Sequence, residues 1–67
     1  MIVITANGER RELERDMTIA EFLDLLGLQA RMVVVEHNRE IIPRDRYSET
    51  TIRDGDELEV VQMMAGG

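Results

Sequence analysis

Residues 18 to 27 constrain the fold more than any other stretch, because they carry a complete set of helix signals. The Thr18 hydroxyl can accept from a first-turn N–H while Glu21, three residues on, reaches back, and Met17 can staple onto Phe22. Ile19, Phe22, Leu23 and Leu26 recur at helical spacing on one face. Gly27 supplies a left-handed stop, with Leu28 placed to close it by an apolar contact. The pattern predicts one helix from about Ile19 to Leu26.

The flanks are β-like. Residues 1 to 6 are apolar and β-rich, and Asn7-Gly8 suits the positive φ angles of a type I′ hairpin turn. A second strand over residues 9 to 14 has Leu13 as its one apolar residue among Glu9, Arg10, Arg11, Glu12 and Glu14. Such a charged strand belongs at a sheet edge, where it discourages edge-to-edge pairing. Residues 32 to 36 form a short buried strand, His37-Asn38 turns the chain, and Glu40-Ile41-Ile42 is a brief strand ended by Pro43. Residues 44 to 51 are irregular with one helical turn, and Asp54-Gly55-Asp56 is a tight turn launching a last strand over residues 57 to 63.

Hairpin, helix and further strands imply an α+β domain, with one helix packed on one face of a mixed sheet. The first and last strands should be parallel neighbours. Since the helix covers one face, Val60 or Val61 must point away from it, leaving apolar surface for a partner.

Composition narrows the function. The 67 residues include no cysteine, so neither a disulfide framework nor a thiolate metal site is available, and a reducing compartment fits. No basic region precedes a long apolar segment at the N-terminus, so a cytoplasmic protein with no membrane partner is expected. The net charge of −6 opposes nucleic-acid binding, and one tyrosine and one phenylalanine give no stacking platform. After Arg53 the charged residues are all acids, Asp54, Asp56, Glu57 and Glu59, so a basic partner is implied. All eight basic residues are arginine, which leaves no side-chain amine for isopeptide or Schiff-base chemistry.

Catalytic residues do not emerge. His37, the single histidine, lacks an identifiable nucleophile or orienting acid and reads as a turn residue. Asp54, Asp56 and Glu57 are too few and too closely spaced for a hard-metal loop, so no metal site is expected. No glycine-rich phosphate loop follows a strand and opens a helix.

What remains is the end of the chain, Met63-Met64-Ala65-Gly66-Gly67. Two glycines let a partner's backbone approach closely. Extended at about 3.3–3.6 Å per residue, these residues could carry the carboxylate roughly 17 Å into a channel. The expected division is a folded domain over residues 1–63 and a flexible tail over 64–67. A free carboxylate is a poor acyl donor, so Gly67 would need activation by a separate nucleotide-using enzyme and an external nucleophile. Such a chain is a carrier and not an enzyme. Its partner surface should be the exposed face and end of the last strand, with Glu57, Glu59, Val61, Met63 and Met64, since methionine repacks readily against a partner.

The sequence resembles the ThiS-like sulfur carriers of thiamin biosynthesis, in the ubiquitin-like β-grasp family, over nearly its whole length. The matching features are the Asn7-Gly8 turn, the helix start Thr18-Ile19-Ala20-Glu21-Phe22-Leu23 and the Val35 strand. They continue through Asn38-Arg39-Glu40-Ile41-Ile42-Pro43-Arg44, Asp54-Gly55-Asp56-Glu57-Leu58-Glu59 and Ala65-Gly66-Gly67. Two departures are Gln62-Met63-Met64, where branched apolar residues are more usual, and Tyr47, where many relatives have tryptophan.

The resemblance implies a β-grasp fold and a C-terminal glycine, Gly67, with Gly66 and Ala65 as its slender stem. It implies adenylation of Gly67 by an E1-like activating enzyme that uses ATP, with no cofactor held permanently by the carrier. It further implies a sulfur-donor protein, a thiocarboxylate, and delivery of sulfur to thiazole synthase. The small subunit of molybdopterin synthase is a similar carrier, although those chains are usually longer and match Ile42-Pro43-Arg44 poorly. A ubiquitin-type protein modifier and a plain β-grasp interaction module would also suit a small domain with this tail.

Overall fold

The computed structural model describes residues 1–63. The chain starts as a hairpin of β1 (Ile2–Ala6) and β2 (Glu9–Leu13), with antiparallel register from Ile2 opposite Leu13 to Ala6 opposite Glu9. Only Asn7 and Gly8 separate the strands, at φ 52° and 81°, the positive values a tight hairpin turn needs. β2 lies at a sheet edge, and its exposed charges flank a buried Leu13.

The helix α1 spans Ile19–Leu26, the range the sequence predicts. Glu21 N–H donates to Thr18 Oγ1 at 3.1 Å and Thr18 N–H donates to Glu21 Oε1 at 2.9 Å, closing the capping box. At the other end Gly27, at φ 73°, donates to Asp24 O, while Leu28 N–H donates to Leu23 O at 2.9 Å. That pair of bonds is the Schellman stop foreseen at Gly27. Ile19, Phe22 and Leu23 are fully buried against the sheet.

Two corrections fall between the helix and the last strand. The buried strand β4 is Val33–His37, one residue later than expected, after a 3₁₀ turn at Ala30–Met32. His37 therefore closes the strand, and the turn into β5 (Glu40–Ile42) is made by Asn38 and Arg39, at φ 51° and 72°. A second 3₁₀ turn, Arg44–Arg46, is the single helical turn expected after Pro43. Unforeseen is a small antiparallel pairing of β3 (Met17–Thr18) with β6 (Thr51–Ile52). It ties the helix start to the segment after Tyr47 and buries Ile52.

The last strand, β7 (Glu57–Gln62), lies at the centre of the five-stranded sheet, whose order is β2-β1-β7-β4-β5. It runs parallel to β1, with Thr5 opposite Glu57, and antiparallel to β4, with Val35 opposite Val60. Parallel neighbours need a crossover, and α1 with its following strands supplies it. The core lies between α1 and the covered face of the sheet, built from Ile2, Ile4, Leu13, Val33, Val35, Leu58 and Val60 with Tyr47 and Ile52 closing one side. Arg11 lies over the Phe22 ring, 5.8 Å from its centroid, and covers the core's edge.

Candidate functional site

β7 alternates strictly: Leu58 and Val60 face the helix, while Glu57, Glu59 and Val61 face away. The structure thus resolves the choice between Val60 and Val61. Val60 is buried in the core and Val61 is 57% exposed. Met63 follows, 43% exposed, with its N–H donating to Met32 O at 2.7 Å as a continuation of the β4 ladder. Of the five residues expected on the partner surface, Glu57, Glu59 and Val61 share one face of β7, and Met63 follows directly after the strand, which ends at Gln62, one residue earlier than expected. The fifth, Met64, and the tail residues Ala65, Gly66 and Gly67 lie outside the described residues.

Register brings in residues that sequence reading missed. Val34 lies directly opposite Val61, Glu36 opposite Glu59, and Ile41 opposite Glu36. Val34 and Ile41 are 39% and 68% exposed, so the uncovered sheet face carries an apolar patch beside a cluster of acids. Arg39 Nε lies 3.8 Å from Glu57 Oε1 with both side chains largely exposed, a pairing that contributes little. The alternation of β4 was legible in Val33, Val34 and Val35. Which strand it would lie beside was not.

Two turns, residues 54–56 and Asn38-Arg39, meet at the start of β7. Asp54 Oδ1 accepts from Val3 N–H at 2.7 Å, and Gly55 N–H donates to Val3 O at 2.8 Å, which docks the 54–56 turn onto β1. Asp56 is the hub: Oδ2 lies 2.6 Å from His37 Nε2 and accepts from Arg53 N–H at 2.9 Å, and Oδ1 accepts from Asn38 Nδ2 at 3.2 Å. Partial burial alone would raise the Asp56 carboxyl. The hydrogen bonds from His37, the Arg53 amide and Asn38 together outweigh it and hold the carboxyl below its ordinary value.

His37 is therefore more than the turn residue expected. It bonds the carboxylate that fixes where β7 begins. Asn38 adds two bonds of its own, Asn38 N–H to Glu57 O at 2.8 Å and Glu57 N–H to Asn38 Oδ1 at 2.9 Å. Among the described residues, no group of three or more His, Asp or Glu side chains gathers as a metal site would require. No helix among them is long and apolar enough to cross a membrane. On the helix side, an open hollow of about 410 Å³ is lined by Asn7, Arg11, Phe22, Val60 and Gln62 among others.

This arrangement can present a strand end to a partner. The ThiS family matches residues 4–67. The chain is 35% identical to the sulfur carrier protein ThiS of Bacillus subtilis, covering 97% of this chain and 100% of that protein. It is 41% identical to a thiazole synthase of Paramagnetospirillum magneticum over 96% of this chain, and spans a fifth (20%) of that protein's length. The crystal structure of a thiamine biosynthesis protein (ThiS) from Geobacter metallireducens superposes with a TM-score of 0.85 at 33% identity, covering 98% of this chain and all of that one.

Proposed function

The chain belongs to the ThiS family, and from that premise we propose that it is a sulfur carrier of thiamin biosynthesis, with the Gly67 carboxylate as the carrying group. The observation that carries this reading is the end-to-end match to a protein named as a sulfur carrier, whose full length is covered. An activating enzyme joins the Gly67 carboxylate to the α-phosphate of ATP, releasing pyrophosphate. Hydrosulfide released by a donor protein then attacks the acyl adenylate, displacing AMP and losing its proton to leave a thiocarboxylate. The carrier contributes shape and position; the catalytic groups and the nucleotide site belong to its partners.

The uncovered face of β7 supports this division of labour. Val34, Val61 and Met63 offer apolar contact beside Glu36, Glu57 and Glu59, which suits a docking surface with an apolar centre and a basic rim. Thiazole synthase is the acceptor of the sulfur in this proposal. Two proteins bearing that name are similar to this chain over 96% of its length. The test is the intact mass of the carrier isolated from its native host. A population heavier by the exchange of one oxygen for sulfur, with the change mapped to the C-terminal peptide, is the expected result. A chain found solely with an unmodified carboxylate, under thiamin limitation, would contradict the proposal.

A further inference from the structure

β1 ends at Ala6, yet β7 continues for several residues beyond the last paired position, Leu58. The gap is filled by one side chain. After Asn7 N–H donates to Leu58 O at 2.8 Å, the backbone swings into the hairpin turn at φ 52° while the carboxamide carries on along β7. Its Nδ2 donates to Val60 O at 3.0 Å and its Oδ1 accepts from Val60 N–H at 2.7 Å. A carboxamide has one donor and one acceptor in the geometry of a peptide group, so Asn7 supplies the ladder position that the turning backbone gives up. Both bonds are partly buried, where an unmade bond is costly.

Val60 is the last residue of β7 held from the β1 side among these contacts; the next residue with its backbone directed that way is Gln62. Beyond it the chain runs toward Gly67. We propose that Asn7 is a positioning residue for the carrier's reaction: its carboxamide holds the β1 side of the end of β7, as the Met32 carbonyl holds the β4 side at Met63, and together they set the point and direction from which the tail enters the activating enzyme. This rests on the reading of Gly67 as the adenylated group. Asn7 takes no part in docking through Glu57, Glu59 and Val61, so its loss should disturb the placement of the reacting carboxylate and spare encounter.

Two variants separate the clamp from the turn. Asn7→Gly keeps the positive φ and removes the carboxamide. Asn7→Asp keeps a residue that tolerates the turn, and still accepts from Val60 N–H, but sets a carboxylate oxygen against Val60 O. ATP–pyrophosphate exchange with the cognate activating enzyme is measured for the wild type, both variants and a chain lacking Gly67, each below its own melting point. Misplacing a reacting atom by about 1 Å costs on the order of 100-fold, so kcat should fall at least about tenfold in both variants, with KM for the carrier within about twofold.

In the isolated carrier the Val60 amide should also lose hydrogen-exchange protection in Asn7→Gly and keep it in Asn7→Asp. Wild-type kcat in both variants, or a rise in KM alone, overturns the role of Asn7 and leaves the carrier reading standing. Absence of exchange with the wild-type chain overturns the carrier reading and this inference with it. A role confined to the turn predicts two near-normal variants, since glycine and aspartate both suit it.

Discussion

Asp56 is the residue on which the turns at the start of β7 converge. Its carboxylate holds His37, the Arg53 amide and Asn38 at once, and no backbone group could reach all three. Truncating a hydrogen-bonded group that is mostly shielded from water leaves its partners unsatisfied, at about 1–3 kcal/mol. Asp56→Asn, which retains one acceptor oxygen, should lose stability at the lower end of that range, read from the urea midpoint. The same carboxyl sets a pH dependence. Its folded-state pKa is depressed, so its contribution is complete above the unfolded value of about 3.8 and is lost as pH falls through that value toward the depressed one. The wild-type and Asp56→Asn midpoints should therefore differ most near neutrality and converge below about pH 4. Parallel curves down to acid pH would assign the stabilisation to something else. Glu21 is depressed too, first by the Thr18 backbone N–H, but its side chain is half exposed and its cap is the more telling observation.

Among the elements, β7 does the most. It is central in the sheet, packs Leu58 and Val60 into the core, and offers Glu57, Glu59 and Val61 on its other face. Because those acids are exposed, their attraction for a basic partner is screened by salt and acts chiefly on encounter. Reversing both charges, Glu57→Arg with Glu59→Arg, should slow association with the activating enzyme by about tenfold or more at low ionic strength, converging with wild type as salt rises. The fold should be unaffected; unchanged association by stopped flow at low salt would remove the steering role. Much of this was legible in the sequence. The helix limits followed from Thr18, Glu21 and Gly27, and the edge position of β2 from its charges. The pairing of Met17–Thr18 with Thr51–Ile52 was not, because two-residue strands carry no periodicity. The turn before β5 was read one residue early, at His37-Asn38 where Asn38 and Arg39 make it, since an arginine at positive φ has no sequence signal of its own. Val34, Glu36 and Ile41 joined the candidate surface only through register, and Asn7 read simply as a turn former.

At the scale of the molecule, a chain of 67 residues can build one thin core, and here α1 covers one face of the sheet. In the proposed reading, the other face and the chain beyond β7 are left for partners. Such a domain has little room to enclose catalytic groups, and its chemistry in this account is displaced to its end, where Gly67 is acted on by other proteins. Position is then the quantity the fold supplies: two turns fix where β7 begins, Asn7 at Val60 and Met32 at Met63 hold its far end from either side, and the number of residues from there to the carboxylate sets the reach. The most direct test removes one residue. Deleting Gly67 retracts the carboxylate by roughly 3.3–3.6 Å, several times the misplacement of about 1 Å that costs on the order of 100-fold. ATP–pyrophosphate exchange with the cognate activating enzyme should collapse by at least that factor, while the melting midpoint stays at the wild-type value. Exchange at the wild-type rate by the chain lacking Gly67 would contradict the carrier account and leave the domain as an interaction module.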